Sequence, residues 1–501
     1  MIRRLARSLV AAAGSVLLGL ALIGAGLYWN FLRSGPAPGP WHQVSLADFT
    51  AGQADTVRSL DDYLAIEERL FAELQQRVYG AVPEADRTLI NRYHAGSLSD
   101  PGVWPVNWNR SFRLGPVEEA SSRGVVLMLH GLTDSPYSLR SIGEHLAARG
   151  FEVLGLRLPG HGTAPSGLLS FTIEDMQAAV RLAARDLRTP GDPDRPLFIV
   201  GYSNGAALAV DYALATLDDA SLPKPAGLVL VSPAIGVSDF ASIGRFKTGL
   251  SSVPGFERAA WKELELELDP YKYMSFSFHA AGETFRLTRA LARSVERRAA
   301  SGQLRSFPPV LAFLSTVDAT VRAEAVADTL LDHLTVGGHE LILFDVNRNA
   351  GIQPLLVNDP GSLTGRLQSN ASRPYALTVI TNASTDSLQV VEQRSLPGSG
   401  RVVERDLGLA WPRTTFSLSH VALPFPPDDP LYGYQPGPPT NHVQLGHLQV
   451  HGENGVLRVP MWMLTRQRSN PFHSYLLERI DGFLDGAQGT GQAARQAKPG
   501  A

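Results

Sequence analysis

The chain of 501 residues contains no cysteine. Disulfides, thiolate metal sites and cysteine nucleophiles are therefore excluded. Charge is sparse as well: Asp, Glu, Lys and Arg make up 19% of the residues, and the net charge is −3. A nucleic-acid partner would need a basic footprint, so no nucleic acid is expected. The chain has no GxxxxGKS or GxxxxGKT phosphate loop and no HExxH zinc motif, the two arrangements that would hold a phosphate or a catalytic metal from local sequence alone. No cofactor and no metal are expected. His442, His447 and His451 fall close together, but with few acids nearby they read as loop histidines.

Long apolar runs are also absent, with one exception. Residues 8–32 hold no charged side chain and are mostly Ala, Leu, Val, Ile and Gly. A helix of that length would span about 37 Å, more than the roughly 30 Å of a bilayer core. Arg3, Arg4 and Arg7 precede it, Arg33 alone follows, and Tyr28 and Trp29 lie near its end. The positive-inside bias then puts the N-terminus in the cytoplasm and the large domain outside, periplasmic in a bacterium. A cleaved signal peptide, which would release a secreted protein, is the alternative for residues 1–33.

Residues 34–118 read as a linker and preamble. The linker is SGPAPGP (34–40), and the preamble holds a helical pattern over about 56–79 followed by an extended stretch with Trp104, Trp108 and Phe112, expected to pack on the core. From Gly124 short apolar runs alternate with helical segments. Strands are expected at Val125–Leu129, Glu152–Leu156, Leu197–Val200, Leu228–Val231, Val310–Leu314 and Leu341–Phe344. Helices are expected near 138–149, 172–188 and 206–217. Such alternation implies a mostly parallel sheet with helices on both faces and a site at the carboxyl ends of the strands. One domain, 119–485, is expected. It would carry a cap over the site at about 236–306, with no clear strand and several exposed aromatics, and an insertion at about 346–414. Residues 486–501 read as a disordered tail.

The chemistry centres on Gly201-Tyr202-Ser203-Asn204-Gly205, between an apolar run and an alanine-rich helical run. A serine on a sharp strand-to-helix turn presents its hydroxyl above the sheet, and glycines two residues either side remove side chains that would clash. Acyl transfer also needs backbone N–H groups for the oxyanion. The residue after the nucleophile and the loop after the first strand, His130-Gly131-Leu132, nominate Asn204 and Leu132.

The stretches LHGLTDSPYSLR (129–140), RLPGHG (157–162) and GYSNG (201–205) together resemble the serine α/β-hydrolases, in the branch of monoacylglycerol lipases, carboxylesterases, lysophospholipase-like enzymes and S33-type serine aminopeptidases. The resemblance covers about 120–240, 307–345 and 415–485. It implies an α/β-hydrolase fold and places the triad acid just after the Val310–Leu314 strand, at Asp318, with Asp345 in reserve. It would also put the histidine soon after Leu341–Phe344, where the sequence reads Asp345-Val346-Asn347-Arg348 instead. The next histidine, His420, ends an apolar run before a proline-rich loop and is assigned as the general base. His130 and His161 are read as shaping their loops.

The expected activity is hydrolysis of carboxylic esters, of small-molecule or lipid type, through an acyl-enzyme on Ser203, with Asp318 orienting His420. A serine aminopeptidase or an acyltransferase on the same fold is one alternative, with Glu263, Glu265 or Glu267 available to hold an amino group. A non-catalytic envelope scaffold is the other.

Overall fold

A computed structural model describes residues 12–26, 37–115, 122–188, 195–236, 257–318, 320–335, 337–351, 353–357, 359–437, 441–446 and 468–496. In chain order its helices are α1 (12–26), α2 (Pro40–Gln43), α3 (Leu60–Arg77), α4 (Arg140–Ala148), α5 (Ile173–Leu187), α6 (Asn204–Ala215), α7 (Phe278–Ser301), α8 (Ala323–Thr329), α9 (Pro360–Ser369) and α10 (His473–Gln496). The strands are β1 (Phe112–Leu114), β2 (Val125–Leu129), β3 (Glu152–Leu156), β4 (Leu197–Tyr202), β5 (Gly227–Val231), β6 (Trp261–Glu263), β7 (Phe276–Ser277), β8 (Val310–Ser315), β9 (Glu340–Phe344), β10 (Ala376–Asn382), β11 (Gln389–Ser395) and β12 (Val403–Ala410).

Ten strands form one sheet in the order β1-β3-β2-β4-β5-β8-β9-β10-β11-β12. From β3 to β10 every pairing is parallel, and β1, β11 and β12 join antiparallel at the two edges. A parallel sheet covered on both faces needs strands that are apolar throughout rather than alternating. That is what β2, β5 and β9 are: every residue in each is buried. Successive side chains then serve opposite faces. Val125, Leu127 and Leu129 join one core with α3, α5, α6 and α7, while Val126 and Met128 join a second with α4 and α10.

The insertion does not stand apart from the sheet. After β9 the chain adds β10, β11 and β12 to the sheet edge and then returns toward its centre by residue 416. The cap region differs from expectation. It contains a two-stranded ribbon, β6 with β7, and the 24-residue helix α7. Trp261, Tyr271 and Tyr273 are buried rather than exposed, because they pack between the cap and the loops over the sheet. Phe240 and Phe246 lie outside the described residues. The stretch from 486 expected to be disordered begins as helix, α10 running on to Gln496.

Among the described residues no helix is long and apolar enough to cross a membrane. Of the span expected at 8–32, residues 12–26 are helical, and the remainder lies outside the described residues.

Candidate active site

β4 runs straight into α6 with one residue, Ser203, making the turn. Its backbone sits at φ 52° and ψ −116°, a conformation costly for any residue with a side chain. The surroundings enforce it. Ser203 N–H donates to Val231 O at 2.9 Å, and its carbonyl accepts from Ala234 N–H at 3.0 Å. The flanking glycines are required by space. A Cβ on Gly201 would lie 2.5 Å from Ala206 Cα, and one on Gly205 would lie 2.0 Å from Leu129 O.

The structure brings Ser203, His420 and Asp318 together. His420 Nε2 lies 3.0 Å from Ser203 Oγ, and His420 Nδ1 lies 2.7 Å from Asp318 Oδ2. Asp318 divides its two oxygens. Oδ1 accepts from Thr320 and Val321 N–H at 3.0 and 2.9 Å, which fixes the carboxylate, and Oδ2 is left for the histidine. The carboxylate side chain is fully buried. Asp345, the reserve acid, is committed elsewhere: it pairs with Arg348 and accepts from Thr381 Oγ1. The loop carrying His420 is held by its own backbone, since Tyr202 Oη and Ser232 Oγ reach the His420 carbonyl at 3.5 and 3.4 Å.

On the other side of the serine lies the 130–135 loop. The point where a Gly131 Cβ would stand is 3.2 Å from both Ser203 Cβ and Asp134 Oδ2, so this loop passes directly over Ser203. His130 is fully buried, and burial pushes it well below the usual histidine range. Its Nε2 accepts from Leu158 N–H at 3.0 Å, so Nδ1 carries the proton and donates to Gly131 O at 2.9 Å. Among the described residues no protein group accepts from the N–H of Leu132 or of Asn204. Asn204 opens α6, where backbone N–H groups lack helical partners and favour negative charge. Thr133 follows with φ 64° and gives its carbonyl to Tyr273 N–H of the cap at 2.8 Å.

A cavity of about 250 Å³ opens beside these groups, lined by Thr133, Asp134, Lys272, Tyr273, Met274, Phe276, Val421, Phe425 and Tyr432, with Glu263 and Arg468. Thr133 belongs to the 130–135 loop, and Val421 directly follows His420. Glu263, one of the three acids singled out in the cap, lines this cavity, whereas Glu267 is fully buried and accepts from Met274 and Ser275 N–H. Residue-by-residue reading missed Asp134 and Lys272. Burial is the main reason the Asp134 carboxyl is pushed up to about 6, with Lys272 Nζ 3.8 Å away pulling the other way. The one available signal was an acid two residues after Leu132 in a loop with no other charged side chain from 131 to 139. Trp104 stacks on His442 at 4.3 Å and meets Tyr271 edge-on, within the aromatic cluster around Tyr137. His447 and His451 lie outside the described residues.

Residues 120–334 match the family model of the serine aminopeptidases, S33. A thermostable monoacylglycerol lipase of Bacillus sp. (strain H-257) is 29% identical over 131 residues, which is 26% of this chain. The chain spans about half (48%) of the length of that curated relative. Two solved structures are similar at low scores. A metagenome-derived lipolytic enzyme is 23% identical, with 48% of this chain and 88% of that one covered at a TM-score of 0.36. The monoacylglycerol lipase of Paleococcus ferrophilus is 20% identical, with 47% and 88% covered at 0.35. The fold is that of the α/β-hydrolases.

Proposed function

We propose that this chain is a serine hydrolase that cleaves carboxylic esters through an acyl-enzyme on Ser203. The observation that carries the proposal is the unbroken line Ser203 Oγ, His420 Nε2, His420 Nδ1, Asp318 Oδ2, with contacts of 3.0 and 2.7 Å. In this reading His420 takes the serine proton as Oγ attacks the ester carbonyl, and later returns it to the leaving alcohol. Asp318 holds the ring and stabilises the imidazolium. The N–H groups of Leu132 and Asn204 receive the oxyanion, a contribution of about 3–4 kcal/mol per donor in comparable sites. Water then attacks the acyl-enzyme, with His420 as base again.

Ser203→Ala tests the proposal directly. Hydrolysis of p-nitrophenyl esters of graded chain length should fall to background, and a fluorophosphonate probe should no longer label the folded protein. Activity that survives the substitution would refute the reading. A wild-type chain that is folded yet inert to ester and probe alike would favour a scaffold in which the site is vestigial.

The cavity walls support an apolar substrate. Phe276, Phe425, Tyr273 and Met274 suit an apolar acyl or alkyl group, and the monoacylglycerol lipase relative makes a lipid ester the first substrate to try. A second reading rests on Asp134 and Glu263, two carboxylates on the same cavity that could hold a substrate ammonium. An S33-type aminopeptidase would then cleave an aminoacyl p-nitroanilide faster than the matching acyl ester; the opposite ratio is expected here.

Residues 8–32 are read as a membrane anchor that keeps this site near lipid, with the catalytic domain outside. Support comes from the charge-free stretch itself and from Leu17, Leu18, Leu20, Leu22 and Ile23, all exposed on the helical residues 12–26. Release of the full chain from membranes by alkaline carbonate, without proteolysis, would rule the anchor out.

A further inference from the structure

Arg157 opens the RLPGHG loop after β3 and is fully buried, at 0% exposure. A guanidinium in that position is tolerated only if its charge is paired and its donors are satisfied. Both acids that do this come from the preamble, outside residues 120–334. Asp48 takes it end-on, with Oδ1 2.7 Å from NH2 and Oδ2 2.9 Å from NH1, and Glu67 Oε2 lies 3.2 Å from Nε. Asp48 does one thing that Glu67 does not. Its Oδ2 also accepts from the backbone N–H of Gly160 at 2.7 Å, so a single carboxylate holds the loop both at its first residue and at its turn. Gly160 sits at φ 80°, and a Cβ there would lie 2.9 Å from Phe171 Cβ and 3.1 Å from Gly167 O, so the turn at this point admits only glycine.

The same loop reaches the catalytic centre. Leu158 N–H donates to His130 Nε2 at 3.0 Å, and that bond sets the tautomer in which Nδ1–H donates to Gly131 O. Gly131 O and Leu132 N–H belong to one peptide plane, and in a trans peptide they point in opposite directions. Fixing the carbonyl therefore fixes the direction of the N–H. We propose that Asp48 is a positioning residue for ester hydrolysis, holding the 157–162 loop so that His130 aims the Leu132 N–H at the developing oxyanion. This inference rests on the proposed serine-hydrolase reading. It makes the preamble a working part of the active site, although Asp48 touches no reacting atom.

The test compares Asp48→Asn, which keeps the shape but loses the charge, with Asp48→Glu, which keeps the charge but displaces the carboxylate. Glu67→Gln is the control, because it removes an acid from the same Arg157 without touching Gly160. In the full chain, kcat for a p-nitrophenyl ester should fall about tenfold in both Asp48 variants, with KM changed less than about twofold. That is a part of the 10²–10³ lost when an oxyanion donor is removed outright. The rate of fluorophosphonate labelling of Ser203 should fall by the same factor, whereas Glu67→Gln should lower the melting temperature and leave kcat within about twofold. A folded Asp48 variant with wild-type kcat and labelling rate would overturn the inference, as would a loss confined to KM. If neither Asp48 variant folds, the residue is structural and the positioning role is overturned too. A wild-type chain that neither hydrolyses esters nor labels would instead sink the serine-hydrolase reading itself.

Discussion

His420 and Asp318 are separated by 102 residues, yet Nδ1 of one lies 2.7 Å from Oδ2 of the other. The carboxylate is buried, and its second oxygen is held by two backbone N–H groups, so it cannot rotate away from the ring. Asp318→Asn should keep this geometry but put an amide where an acceptor is needed, which favours the wrong histidine tautomer. The expected result is a drop in kcat of about 10⁴-fold with KM little changed. Retention of more than a tenth of the wild-type kcat would show that another group orients His420.

Two glycine substitutions should act in opposite directions. Gly205→Ala would place a methyl 2.0 Å from Leu129 O and 2.5 Å from His130 O, backbone atoms of β2 and of the loop that follows it. Nothing flexible can yield there, and a loss of about 3 kcal/mol or more is expected. Gly282 lies inside α7 with nothing within 4 Å of a new Cβ. Gly282→Ala should therefore stabilise the protein, by about 0.5–1 kcal/mol. Denaturant melts of both variants check the pair; equal effects would contradict the steric account.

The Asp134 carboxyl titrates at about 6 in the folded chain, raised chiefly by burial, against about 3.9 in an unfolded one. The folded state therefore keeps a proton that the unfolded state has already released between those values. Stability conferred by the protonated acid is complete below about pH 4 and is lost as pH rises through about 6. Asp134→Asn has no such proton to lose. Its stability relative to wild type should improve by roughly 2–3 kcal/mol between pH 4 and pH 7. Urea melts at the two pH values read this difference, and a pH-independent offset would refute it.

The central strands were legible in the sequence for a physical reason. A strand buried on both faces must be apolar throughout, and Val125–Leu129 and Leu228–Val231 announce themselves in that way. The turn at Ser203 was legible because its flanking glycines answer a steric need, at Ala206 Cα for Gly201 and at Leu129 O for Gly205. His420 was harder, because its place follows from the three strands that the 346–414 insertion adds to the sheet edge before the chain returns. The last of them, β12, is mostly exposed and carries Glu404, Arg405 and Asp406, so no apolar alternation marks it. Helix α7 went unseen for a related reason. Its buried stripe, Ala280, Thr284, Leu287, Thr288, Leu291 and Val295, mixes threonines with the apolar residues and weakens the periodic signal. Nothing in the sequence couples Asp48 to Arg157, since charge pairing across 109 residues leaves no local pattern.

The segment matched by the family model, 120–334, holds Ser203, Asp318, Leu132, Asn204, His130 and Arg157. It holds neither His420 nor Asp48 and Glu67. A gene fragment cut at the borders of that match would encode Ser203 and Asp318 without His420, and a buried cation without either of its acids. The smallest segment that carries Ser203, Asp318 and His420 together is accordingly longer than the segment matched by the family model. Recombination at those borders would break the site from both sides at once.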